Sequence, residues 1–145
     1  MSQENVEALK KLWQELMAGD LAAIGLSLVD PDVVYEDDLL PDHSGESYHG
    51  HEGLQRAWAQ FLEPWETFEN DMEWTRDAGN AVVSFHRVRV RGKGSGIAGE
   101  LRYAYVFRFR KGKIIHVKSY GDPSEALEAV GLLESEAPDF TPPRS

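Results

Sequence analysis

The sequence predicts an α+β domain in which N-terminal helices pack on one face of a curved, mainly antiparallel sheet. Three observations predict it. Apolar residues near the N-terminus recur at helical spacing, with Val6, Leu9, Trp13 and Leu16 on one stripe and Leu12 beside it. From about Met72 onward apolar and polar residues alternate instead, the period of a strand with one covered face. The order is helices, one strand, a helix and then consecutive strands, which argues for α+β rather than for a doubly wound parallel sheet. A sheet that curls round its helices leaves a cone, and the mouth of a cone is a natural pocket.

The first helix breaks at Ala18-Gly19-Asp20, and Asp20 is a good N-cap for a second helix carrying Leu21, Ile24 and Leu28. Asp30-Pro31-Asp32 ends that helix and turns the chain into a strand at Val33. Along Val33 to Asp37 the side chains alternate, so Val33, Tyr35 and Asp37 share one face. A polar loop from about Leu39 to Gly50 follows, long enough to suit a lid or a pocket rim. A helix opens near His51, with Leu54, Ala57, Trp58, Phe61, Leu62 and Trp65 on its buried side and Pro64 near its end.

Met72 to Arg76 pairs with Ala81 to Arg91 through the turn Asp77-Ala78-Gly79-Asn80. Gly92 to Gly96 makes the next connection. In Leu101 to Arg110, Leu101, Tyr103, Tyr105, Phe107 and Phe109 face in, and Arg102, Arg108 and Arg110 face out. Lys111-Gly112 turns into a last strand, Ile114 to Tyr120. Asp122-Pro123-Ser124-Glu125 then carries the cap, first-turn proline and acidic residue of a short helix stopped by Gly131. Residues 1–133 read as one domain and residues 134–145 as a flexible, acidic and proline-rich tail.

Of 145 residues, 41% are hydrophobic, enough for a core, and four Trp, five Tyr and six Phe offer good walls for an organic ligand. The absence of cysteine removes disulfides, thiolate metal sites and a cysteine nucleophile. A formal net charge of −10 opposes nucleic-acid binding, which needs basic residues against phosphate. No apolar run reaches the length of a membrane span, and the polar N-terminus lacks a signal pattern, so the expectation is a cytoplasmic protein with no membrane partner. Arg87, Arg89 and Arg91 line one face of their strand, as a solvated face or a subunit contact.

Asp37 is the leading candidate for chemistry. A carboxylate continuing an apolar face is costly unless it is hydrogen-bonded or has work to do. It either faces a pocket or sits solvated at the strand end. His86 shares an inward face with Val82, Ser84, Val88 and Val90, as a core histidine or as a general acid or base. Tyr105 faces in, as a hydrogen-bond donor or as a core tyrosine. His43, His49 and His51 lack regular ligand spacing, so no metal is expected. Gly92 to Gly96 joins two strands, whereas a phosphate loop runs into a helix.

These segments resemble the SnoaL-like branch of the nuclear-transport-factor-two superfamily. The matching stretches are Ala18-Gly19-Asp20, Leu28 to Tyr35, Tyr48 to Leu54, Gly94-Ser95-Gly96, Lys111 to Ile114 and Glu125 to Leu132. The resemblance implies a cystatin-like roll, a cone-shaped sheet with helices in its concave face, and a homodimer joined through the open sheet face. Its relatives include ketosteroid isomerases, polyketide cyclases, scytalone dehydratase, epoxide hydrolases and pure binding modules, so fold alone leaves the reaction open. Asp37 falls on the general base of ketosteroid isomerases. Their oxyanion-binding tyrosine falls on Leu12 and their protonated acid on Tyr105, so one donor is missing and the other has changed type. The strand around His86 is similar to one bearing a catalytic histidine in scytalone dehydratase, and Tyr35 matches a water-binding tyrosine there. The aspartate that pairs with that histidine falls near Met17. The inward Asp-Arg-Asp set of epoxide hydrolases has no counterpart.

The expectation is therefore a cofactor-independent isomerase, cyclase or dehydratase acting on a small hydrophobic, oxygenated molecule. Asp37, His86 and Tyr105 are its catalytic candidates, and Tyr35, Trp58, Phe61 and Phe107 its substrate-binding ones. The alternative is a non-catalytic ligand-binding or dimerisation module of the same fold.

Overall fold

Nine elements follow one another in the computed structural model, which describes residues 2–17, 28–37 and 46–132. They are α1 (Ser2–Met17), β1 (Val29–Asp37), β2 (Glu46–His49), α2 (Gly50–Leu62), β3 (Trp65–Asp77), β4 (Ala81–Gly92), β5 (Ala98–Arg110), β6 (Lys113–Tyr120) and α3 (Pro123–Ala129). The expected second helix, most of the polar loop and the tail lie outside the described residues.

The strands form one curved, six-stranded sheet in the order β2-β1-β6-β5-β4-β3. Only β1 and β6 run parallel; the other neighbours are antiparallel. The turn at Lys111-Gly112 joins β5 to β6 with both residues in the left-handed region, φ 52° and 78°, the geometry that matches the twist of a tight hairpin. Parallel β1 and β6 are far apart in sequence, so they rely on the intervening chain for their crossover.

Alternation sorts the sheet residues onto two faces. On one, Val33, Tyr35, Val82, Val88, Tyr103, Tyr105, Phe107 and Val117 pack against Leu9, Leu12 and Trp13 of α1 and Ala57 and Phe61 of α2. This is the larger core. On the other, Ala81, Val83, Phe85, Ala104 and Val106 pack under Ala126 and Leu127 of α3. α1 and α2 cover the concave face as expected, and α3 adds cover on the opposite face. The small residues Ala81 and Ala104 give α3 the room to dock, and burying its short apolar stripe is what a seven-residue helix needs. Asp122 caps α3 as expected, its Oδ1 accepting from the Ser124 N–H at 2.9 Å and Oγ–H at 2.8 Å.

Three elements differ most from the sequence reading. β1 starts at Val29, not Val33: its register shifts between Val29 and Val34, and that irregularity accommodates Pro31 within a strand. β2 occupies four residues read as loop; it is too short and polar to announce itself and forms by pairing with β1. β3 starts at Trp65, so Trp65 leaves α2's buried side and the strand gains seven residues before Met72. Pro64 ends the helix, and pairing with β4 along its length holds β3 extended.

The arginine face of β4 is a paired, solvent-facing ladder. Arg87 bridges Glu73 and Glu100 at 3.2 and 3.4 Å, and Arg89 bridges Glu69 and Asp71 at 3.4 and 2.9 Å. Exposed pairs of this kind add little net stability; they keep the open part of the outer face polar.

Candidate functional site

α1 and α2 do not fill the concave side of the sheet. Between them and the strands lies a cavity of about 100 Å³. Leu12 and Trp13 line it from α1, where their adjacent positions turn both toward the sheet. Leu54, Ala57, Trp58 and Phe61 line it from α2, spaced as one helical stripe. The sheet supplies Tyr35, Tyr105, Phe107, Ile114 and Val117. Trp58 sits edge-on to Trp13 at 6.3 Å between centroids and packs on Phe61 at 6.0 Å. Tyr105 contacts Phe107 at 5.5 Å and Tyr35 at 6.5 Å. The wall is apolar and aromatic almost throughout. Its polar groups are those of Tyr35, Tyr105 and Gln55 and the indoles of Trp13 and Trp58. Such a surface favours a flat, mostly apolar molecule through burial and ring contact.

Tyr35, Trp58, Phe61, Phe107 and Tyr105 thus meet around one cavity. Leu12 lies on the same wall, at the position where the resemblance placed an oxyanion-binding tyrosine. For Asp37 the backbone is placed, at the end of β1 opposite Glu46, two residues beyond Tyr35. Its side chain lies outside the described residues.

His86, read from the sequence as a core histidine or an acid/base group, is fully buried and does not line the cavity. It stands behind the wall, with ring centroids 4.7 Å from Trp13 and 4.9 Å from Tyr105. Register explains its neighbours: His86 lies opposite Tyr103, and Ser84 opposite Tyr105. Both ring nitrogens are engaged, Nε2 with Ser84 Oγ at 2.7 Å and Nδ1 with Asn70 Oδ1 at 3.0 Å. Asn70 Nδ2 donates to Tyr103 Oη at 2.7 Å, and Tyr105 Oη donates to Tyr103 Oη at 3.5 Å. Burial pushes the imidazole pKa down to about 3, so His86 is neutral near pH 7.

Asn70 is the member of this network that sequence reasoning missed. It is 5% exposed on β3, a polar residue at an inward position. The alternation of Phe68, Asn70 and Met72 would have exposed it had β3 been read from Trp65. Among the described residues, His116 Nε2 pairs with Glu36 Oε2 at 2.6 Å across β6 and β1. His51 Nε2 donates to the Val29 carbonyl at 2.8 Å, His49 is exposed, and His43 lies outside the described residues. Among the described residues, no three His, Cys, Asp or Glu side chains gather as metal ligands. No helix among them is long and apolar enough to cross a membrane.

Among curated proteins no sequence matches this chain. Solved structures do match in fold. TerC, crystallised with polyporic acid, superposes with a TM-score of 0.71 at 21% identity, over 88% of this chain and 98% of that one. An NTF2-like protein of unknown function from Burkholderia pseudomallei gives a TM-score of 0.70 at 19% identity, over 88% and 98%. A proposed SnoaL-like polyketide cyclase from Jannaschia gives 0.69 at 20% identity, over 89% and 92%. In sequence, residues 9–117 match the SnoaL-like domain, well over half the chain and all of the cavity's described walls, and the chain belongs to the SnoaL-like family.

Proposed function

We propose that this protein binds a small, largely apolar, oxygenated molecule in the cavity between α1, α2 and the sheet, and acts on it by cofactor-independent acid–base chemistry. The observation that carries the reading is the convergence of Trp13, Trp58, Phe61 and Phe107 with two phenols, Tyr35 and Tyr105, on one hollow. Aromatic walls supply affinity, and a few hydroxyls orient the ligand's oxygen. The fold neighbour TerC, crystallised with polyporic acid, supports a small-molecule role for the scaffold.

In this reading Asp37 is the base. Isomerisation, cyclisation and dehydration each need a base within hydrogen-bond reach of an acidic C–H, a role a carboxylate can fill. This reading gives His86 no proton-shuttle role, because it is buried, neutral and held at both nitrogens. That burial favours a second reading, a ligand carrier of the same fold with no turnover.

The binding step is tested by titrating the protein with naphthalene while following tryptophan emission, since Trp13 and Trp58 both line the hollow. Saturable quenching is expected. Ala57→Phe, which places a ring inside the cavity, should abolish it while thermal unfolding stays cooperative. Quenching that survives Ala57→Phe would place the ligand elsewhere.

A further inference from the structure

Among the described residues, the cavity wall carries no formal charge: its polar groups are phenols, an amide and indoles. The chain's cations stand elsewhere. All but one of its 15 Lys and Arg residues fall among the described residues, and none of those lines the cavity. Arg87 and Arg89 pair with acids on the outer face, Arg110 pairs with Asp30 at 3.2 Å, and Arg56 lies over the Tyr48 ring at 5.6 Å. Residues 18–27 and 38–45, which precede and follow β1 in sequence, contain neither Lys nor Arg but hold Asp20, Asp38 and Asp42. The remaining basic residue, Arg144, is the penultimate one. A carboxylate or phosphate moved from water into such a hollow loses its hydration and meets no compensating cation. The formal net charge of −10 adds a long-range repulsion. A ketone, an ester or an un-ionised hydroxyl loses far less on the same transfer.

We propose that the cavity selects by charge: it admits uncharged oxygenated molecules such as ketones, esters and un-ionised phenols, and excludes carboxylates and phosphates, so that an acid enters only in its protonated form. The inference rests on the small-molecule reading and names its ligand class. With Asp37 as the base, a bound anion would be a second negative charge at one site, which adds to the exclusion.

Two probes of nearly one shape test it in the unaltered protein: 2-acetylnaphthalene, a neutral ketone, and 2-naphthoate, its carboxylate counterpart. Equilibrium dialysis measures the ketone directly and the acid by its displacement of the ketone, so that only binding at the shared site counts. A carboxylic acid of pKa about 4 is about one part in a thousand protonated at pH 7. Its apparent affinity should therefore lie about a thousandfold below the ketone's at pH 7 and rise about tenfold at pH 6, while the ketone's stays unchanged. Raising the salt from 0.1 M to 0.5 M screens the surface field but leaves desolvation in place, so the gap should persist. Displacement by the acid within about tenfold of the ketone's own affinity, an acid affinity that is flat between pH 7 and pH 6, or a gap that closes in salt overturns the proposal and leaves the cavity reading intact. Binding of naphthalene without the ketone does the same. Binding of neither neutral probe overturns both.

Discussion

Replacing His86 by Gln tests whether the buried imidazole is a structural, neutral group. Gln also offers a donor and an acceptor, for Asn70 and Ser84, but it does not titrate. The unfolded chain protonates His86 at its ordinary pKa of 6.5, whereas the folded protein, by burying it, resists until about pH 3. The unfolded state therefore binds more protons throughout that window, so stability is full above pH 6.5 and is lost as pH falls toward 3. Between pH 7 and pH 5 the unfolded chain takes up most of a proton at this position and the folded protein takes up almost none. At about 1.36 kcal/mol per pKa unit, the loss over that interval is about 2 kcal/mol. No discount for solvent screening applies, because the ring has no exposed surface. Urea unfolding of both proteins at pH 7 and pH 5, at one protein concentration, measures it. The stability gap between wild type and His86→Gln should narrow by that amount at the lower pH. Parallel losses in the two proteins would show that His86 is protonated in the folded state, and the sealed-network description would be wrong.

Two further outcomes are expected. Asp37→Asn should abolish turnover of any substrate the protein converts, with folding and naphthalene binding retained; undiminished turnover would remove Asp37 as the base. Asp122→Ala removes the acceptor of two hydrogen bonds at the start of α3, and should cost about 1 kcal/mol in chemical denaturation. Naphthalene binding should be unchanged there, since α3 covers the sheet face opposite the cavity.

Much of the scaffold was legible because its signals are local. The stripe Val6, Leu9 and Trp13 requires a helix whatever it packs against, and the alternation from Leu101 to Arg110 requires a strand. Asp122-Pro123 announces a cap through its own chemistry. The misjudged elements depend on partners. β2 has four residues and is a strand because β1 lies beside it. The early part of β3 is charged on one face, and its extended form comes from pairing with β4. The coverage of Ala81, Phe85 and Ala104 on the outer face was hidden because apolar residues interleaved with polar ones do not reveal which helix will reach them.

The cavity residues were legible as inward aromatics, but not as empty space. Trp58, Phe61 and Phe107 would have the same periodicity in a filled core, and whether a hollow remains depends on how closely α1 and α2 approach the sheet. Sequence by itself determined α1, α2, α3 and the strands whose alternation is clean, the inward faces that carry Tyr35, His86 and Tyr105, and the family. Tertiary structure alone decided that Tyr105 stands at the hollow while His86, two strand residues pairs away and on the same face, stands sealed behind it. The reason is geometric. Side-chain direction repeats every second residue along a strand, but access to a cavity depends on the ring above, here Trp13, and on the buried oxygen and amide that Ser84 and Asn70 bring to the imidazole.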